Sequence, residues 1–172
     1  MTRKTLDVAL DFVNQEQDYG KGSSVHYNGH LFYSYATVVA QIVKGKDNGT
    51  YCLLSNNNMS MITSKHLGNL VSACIRTNTP IIRVACDWYD RYEVTPTEYA
   101  NRQIKDLNYY VENKDILTKK PNRTEFISIY VNTQELIETL ELDIKIPQEI
   151  TDLYNNLFNV EFVKSLRKRK VA

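Results

Sequence analysis

Residues 24–66 alternate β-branched and aromatic runs with turn signals and then switch to helical spacing, and no other stretch restricts the fold as much. Asn28-Gly29 predicts a hairpin over 24–35, because both central residues of a type I′ turn take positive φ. That register pairs Tyr27 with His30 and His26 with Leu31. A β-branched run over 35–44 follows, Lys46-Asp-Asn-Gly49 turns it, and 51–54 returns. Asn56-Asn57-Asn58 makes a further turn into a short strand over 59–63. Thr63 or Ser64 then caps a helix. Leu67, Leu70, Val71, Cys74 and Ile75 form its apolar stripe, and Asn69, Ser72 and Arg76 take the opposite face. Asn78 and Pro80 stop it.

The flanks add helices. Thr5 caps a first one, with Leu6, Ala9, Leu10 and Val13 on one side. Tyr19-Gly-Lys-Gly-Ser-Ser24 reads as a connector, since it lacks the spacing and the terminal Gly-Lys-Ser/Thr of a phosphate loop. Residues 80–88 are apolar and β-rich. Thr95-Pro-Thr-Glu98 has the form of a capping box with proline in the first turn, and Ala100, Ile104, Leu107 and Val111 carry the apolar face behind it. Lys119-Lys-Pro-Asn-Arg123 breaks the chain. Beyond it, 126–131 is expected as a buried strand, 132–140 as a short helix and 144–146 as a strand. Pro147 opens a last helix bearing Ile150, Leu153, Tyr154, Leu157 and Phe158. The expected fold class is α+β: an antiparallel meander of about five strands packed by amphipathic helices, with a C-terminal helical portion. The expected division is an α+β domain over 1–120 and a strand–helix extension over 121–172.

Charge narrows the function classes. Lys+Arg 21 against Asp+Glu 20 leaves a net charge of +1. That excludes the acidic surface of a DNA mimic and gives no bulk electrostatic case for nucleic-acid binding. No run reaches the 18 or so apolar residues of a membrane span, and the first residues do not form a signal peptide. Three cysteines, Cys52, Cys74 and Cys86, are an odd and widely spaced set that fits a reduced cytosolic setting. Twelve tyrosines and frequent asparagine point to an AT-rich coding source.

Catalytic motifs are absent from the sequence. His26 and His30 flank the hairpin turn, but in the expected register they fall on opposite faces, and no Cys-x-x-Cys or His-Glu-x-x-His supplies a ligand pair. Neither a metal nor a cofactor is expected. The cysteines read as small packed hydrophobes, and nothing brings Cys86 to His66 as a dyad. Thr63-Ser-Lys-His66, at a helix start, reads first as a cap and second as a phosphate site. Asp87-Trp-Tyr-Asp-Arg-Tyr92 combines the residue types of interface hot spots, so Trp88, Tyr89, Arg91 and Tyr92 are the candidate partner-binding residues. The alternative is a nucleic-acid-binding module using Lys65, Arg76 and the basic tail of Lys164, Arg167, Lys168, Arg169 and Lys170.

Tyr35, Thr37 and Ala40, followed by Ser60, Thr63, Ser64, Lys65 and His66, resemble a small domain of unknown function found in tailed-phage proteins. That domain carries a Tyr-x-Thr-x-x-Ala strand and then Ser-x-x-Thr-Ser-Lys-His. Met59 stands where the family has an aromatic residue. The resemblance covers 24–76 and implies a phage origin and the host cytoplasm, with no established activity. With the composition, it leads to the expectation of a non-enzymatic phage accessory protein that binds and inhibits a host protein of the transcription, replication or defence machinery, CRISPR included. Homo-oligomerisation stays open, and no membrane is expected. An enzyme ranks below both binding readings, since it needs a cleft of convergent polar groups that the sequence does not reveal.

Overall fold

The computed structural model describes residues 3–56, 60–85, 93–159 and 162. The chain divides into two compact units, Met1–Thr95 and Pro96–Ala172. Both fit the α+β expectation, the first holding the sheet and the second being helical.

In the first unit, α1 (Thr5–Asn14) precedes five strands: β1 (Tyr19–Lys21), β2 (Val25–Asn28), β3 (Leu31–Ser34), β4 (Thr37–Lys44) and β5 (Thr50–Ser55). Then come α2 (Met61–Thr77) and β6 (Ile81–Val84). The sheet has six strands in sequence order, rather than about five. Strands β1 to β5 form the expected antiparallel meander. The last pair, β5 and β6, is parallel, with Cys52 opposite Ile81 and Ser55 opposite Val84. A parallel neighbour requires a crossover, and the 17 residues of α2 supply it.

Three local readings are corrected. The extra strand, β1, lies in the stretch expected as a connector. Its Gly20 pairs with Tyr27, and a Cβ there would stand 2.7 Å from Tyr27 Cζ, so glycine is the residue that lets the buried ring lie flat on β1. The β2–β3 register is also displaced: Asn28 pairs with Leu31, Tyr27 with Phe32 and His26 with Tyr33. The two-residue loop is therefore Gly29-His30, and of these only Gly29 has positive φ, the pattern of a type II′ rather than a type I′ turn. Finally, α2 begins at Met61, so residues 60–63 are a cap and first turn rather than a strand. The cap is Ser60, whose Oγ accepts the Thr63 N–H at 3.2 Å, not Thr63 or Ser64.

One sheet face is covered by α1 and α2. Val8, Phe12, Tyr27, Phe32, Ala40, Leu54, Leu70 and Cys74 are among the side chains that form this core. The face that α2 buries is rotated from the expected stripe toward Thr63, His66 and Ala73. Ile75, expected inside, is consequently exposed. Cys52 and Cys74 are fully buried, and the Cys52 thiol is pushed up by its hydrogen bond with Cys74 and by burial.

The second unit contains α3 (Pro96–Glu112), a 3-10 turn (Lys114–Thr118), α4 (Lys120–Leu140) and α5 (Gln148–Asn156). The strand expected over 126–131 is helical. Phe126, Tyr130 and Thr133 are buried at helical spacing, and Phe126 and Tyr130 share a core with Leu107, Tyr110, Ile150 and Leu153. Residues 144–146 form no strand. The basic break at Lys119-Lys-Pro-Asn-Arg123 lies inside this unit, where Pro121 opens α4 and Arg123 Nη1 donates to the Leu117 and Thr118 carbonyls.

Candidate functional site

A group of polar side chains in the first unit converges around His66, in the second turn of α2. Ser60 caps the helix and sets its phase, which turns Thr63 and His66 toward the sheet. There the imidazole is 5% exposed. Ser34, the last residue of β3 and 2% exposed, places Oγ 2.8 Å from Nδ1. Ser24, just before β2 and half-buried, places Oγ 3.1 Å from Nε2. Ser34 Oγ also donates to Thr63 Oγ1 at 3.2 Å, and Thr63 Oγ1 lies 3.0 Å from Ser60 Oγ.

These bonds accommodate a neutral imidazole. With the Ser34 hydroxyl hydrogen directed to Thr63, its oxygen is open to accept from His66, the arrangement in which Nδ1 carries the ring proton. The Nε2 lone pair then faces the Ser24 hydroxyl. Burial holds His66 below the ordinary histidine range, which keeps the ring neutral near pH 7. The result is a directed chain, Ser24 to His66 to Ser34 to Thr63 to Ser60.

Tyr35 closes this cluster. The β3–β4 turn is the two-residue loop Tyr35-Ala36, since Ser34 pairs with Thr37. Tyr35 sits there at φ 55°, a left-handed conformation uncommon for a bulky residue. Its N–H donates to the Ser24 carbonyl at 2.8 Å, which pins the loop that carries Ser24. Its ring, half exposed, lies 5.9 Å from the imidazole. So Tyr35, Ser60, Thr63 and His66, drawn from both halves of the resemblance motif, meet at one junction between sheet and helix. Ser24 and Ser34 complete the junction and were not singled out from the sequence.

The outward side of α2 is the second feature of interest. Lys65, Gly68, Asn69, Ser72 and Arg76 point away from the core, and α2 contains no Asp or Glu. At either end of this face stand Met61, 77% exposed, and Ile75, 72% exposed. They lie about 40° apart around the axis and about 21 Å apart along it. Lys65 and Arg76, both candidate nucleic-acid contacts, fall in the same sector. The remaining candidates, Lys164, Arg167, Lys168, Arg169 and Lys170, lie outside the described residues, as do Trp88, Tyr89, Arg91 and Tyr92. Cys86 lies outside them too.

Other polar features lie apart from His66. His26 stacks on Tyr33 with ring centroids 4.5 Å apart, while His30 bonds Glu93 at 2.9 Å, so these two histidines take different partners. Among the described residues no group of three or more His, Cys, Asp or Glu is placed to hold a metal ion. A cavity of about 420 Å³ opens at the C-terminal ends of α1 and α2. The Gly49 N–H, 2.8 Å away, and then the Tyr51 hydroxyl hold the Asp47 carboxyl on its rim below the usual carboxylate range. In the second unit a cavity of about 280 Å³ is lined by Asp106, Tyr109, Tyr110, Glu125 and Ile129. Burial, then the Glu125 carboxylate, pushes Tyr110 up to about 12.

No protein-family model, no curated protein and no solved structure matches this chain. Among the described residues no helix is long and apolar enough to cross a membrane.

Proposed function

We propose that this chain is a phage accessory protein that acts by binding a protein of its host, with the outward face of α2 as the contact surface. One observation carries this reading: Met61 and Ile75, two large apolar side chains, stand about three-quarters exposed at the ends of an acid-free helix face. Fully burying such side chains contributes on the order of 2 kcal/mol each. Lys65 and Arg76 between them favour a partner patch that is apolar with acidic edges. The helix rests on the Ser60, Thr63 and His66 junction and on a close-packed core, so the face is pre-formed and loses little entropy on docking. The phage and host parts of the reading rest on the motif resemblance, and transcription, replication or defence proteins are the target classes it suggests.

Nucleic acid fits this face less well. Lys65 and Arg76 offer two phosphate contacts about 16 Å apart along the helix, and the apolar ends would remain in water. A host lysate passed over the immobilised wild-type chain and over a Met61→Glu/Ile75→Glu variant tests the reading. Both positions are exposed, so the variant melts like wild type. The expected result is a retained host protein that the variant loses. Recovery of the same proteins by both would exclude this face.

A further inference from the structure

We propose that Ser24 is a nucleophile and His66 its general base, giving this chain a serine-type reactivity toward activated acyl and phosphonyl groups. An activated nucleophile needs a hydroxyl within hydrogen-bond reach of a base, and the base in turn held by a third group. Both conditions are met. Ser24 Oγ lies 3.1 Å from His66 Nε2, and Ser34 Oγ holds Nδ1 at 2.8 Å. The further bond from Ser34 to Thr63 suits the tautomer whose Nε2 is free to accept the Ser24 proton. The base is buried while the nucleophile is half-buried, so a reagent meets Ser24 first. Tyr35 beside them is held at φ 55°, and such backbone strain gathers at ligand-contacting sites. Its half-exposed ring lies 5.9 Å from the imidazole.

The step balances without a cofactor. Ser24 Oγ attacks the acyl carbon of an ester as its proton passes to Nε2. The imidazolium returns that proton to the departing alkoxide, leaving an acyl-Ser24 ester and an alcohol. Water, deprotonated by His66, then releases the carboxylic acid and restores Ser24. Ser34 is a positioning residue, since its hydroxyl bonds the base and Thr63 in the first turn of α2. Its oxygen bonds the imidazolium more strongly than the neutral ring, so it also supports the charge that forms.

A fluorophosphonate probe tests this at the first step, since attack at phosphorus displaces fluoride and leaves a stable seryl phosphonate. Folded full-length protein should gain the mass of one probe less HF, mapped to Ser24 by peptide mass spectrometry. Denatured protein should gain none. Ser24→Ala should abolish labelling, and His66→Gln should slow it at least a hundred-fold. Because a buried histidine supports the fold, the pH profile is the second readout. The wild-type labelling rate should rise with pH to a plateau, with its midpoint below about 6.5, the ordinary histidine value. In Ser34→Ala the midpoint should move to lower pH, which loss of packing alone would not produce. Absence of labelling at Ser24, or labelling that ignores both pH and His66, overturns the assignment.

Discussion

Replacing His66 with alanine should loosen α2 by about 3–4 kcal/mol, and the figure follows from its surroundings. The imidazole makes two neutral hydrogen bonds, to Ser34 at 2.8 Å and Ser24 at 3.1 Å, worth about 1 kcal/mol each. At 5% exposed it also fills space that the sheet and helix cannot close without moving, and a cavity of that size adds about 2 kcal/mol. The neighbours should then rank by burial. Ser34→Ala leaves the Nδ1 proton without an acceptor in a dry site, at about 1–3 kcal/mol, whereas Ser24→Ala lets water reach Nε2 and stays below about 1 kcal/mol. Amide hydrogen exchange over 61–77, read by mass spectrometry, measures this directly, because it reports the opening free energy of α2 apart from the helical second unit. A His66→Ala protein whose α2 amides exchange within five-fold of wild type would refute the reasoning. So would Ser24→Ala costing as much as Ser34→Ala.

Acid should weaken the first unit. Burial lowers His66, and burial followed by the Lys21 charge lowers His26. A histidine lowered in the folded state binds fewer protons folded than unfolded, so its contribution is complete above about pH 6.5 and is lost as pH falls through the folded value. Urea midpoints should therefore drop between pH 7.5 and 5, less steeply in His66→Gln; a midpoint that rises on acidification contradicts this. Gly20→Ala should cost about 2 kcal/mol, since its Cβ would press into the Tyr27 ring, 2.7 Å from Cζ, where Phe12 packs beside it with ring centroids 5.8 Å apart. An unchanged melting temperature would show that the ring has room to retreat.

Particular residues decide how much of the fold could be read in advance. The meander from β2 to β5 and the helices α1, α2, α3 and α5 announce themselves by turn residues and apolar period, although the β2–β3 loop and the buried face of α2 differ from the expectation in detail. Where local and tertiary preferences conflict, the tertiary one wins. Phe126-Ile-Ser-Ile-Tyr-Val131 favours a strand by side-chain type, but helix propensities differ by only a few tenths of a kcal/mol per residue. Burying Phe126 against Tyr110, with rings 5.6 Å apart, and stacking Tyr130 on Tyr154 at 4.0 Å contribute several-fold more, and the run becomes the middle of α4. Strand β1 fails the opposite way. Gly20 has no propensity for a strand and is there because Tyr27 lies over it. The parallel direction of β6 did have a signal, since a strand, a long amphipathic helix and a second strand in succession is the pattern of a crossover.

The candidate site was illegible because its residues meet through long-range placement, which register alone does not decide. With Asn28-Gly29 as the loop, Ser24 would stand opposite Tyr33; with Gly29-His30 it stands opposite Tyr35, as the 2.8 Å bond from the Tyr35 N–H to the Ser24 carbonyl shows. The two registers keep every side chain on the same face, because they differ by two residues and side chains alternate with period two. All burial patterns are therefore satisfied by either, and hydrophobic alternation does not choose between them. Yet two residues move one strand about 7 Å past the other. Ser34 nevertheless stands one residue from the partner of Ser24 in both registers, so the shift changes which tyrosine faces Ser24 and leaves the two serines neighbours. What the sequence hides is the long-range step: His66 lies 42 residues from Ser24 and 32 from Ser34, and the phase of α2 set by the Ser60 cap turns its imidazole toward both. The turn chemistry of Gly29, which alone in its loop takes positive φ, sets Tyr35 rather than Tyr33 opposite Ser24 and so places the Tyr35 ring beside the imidazole.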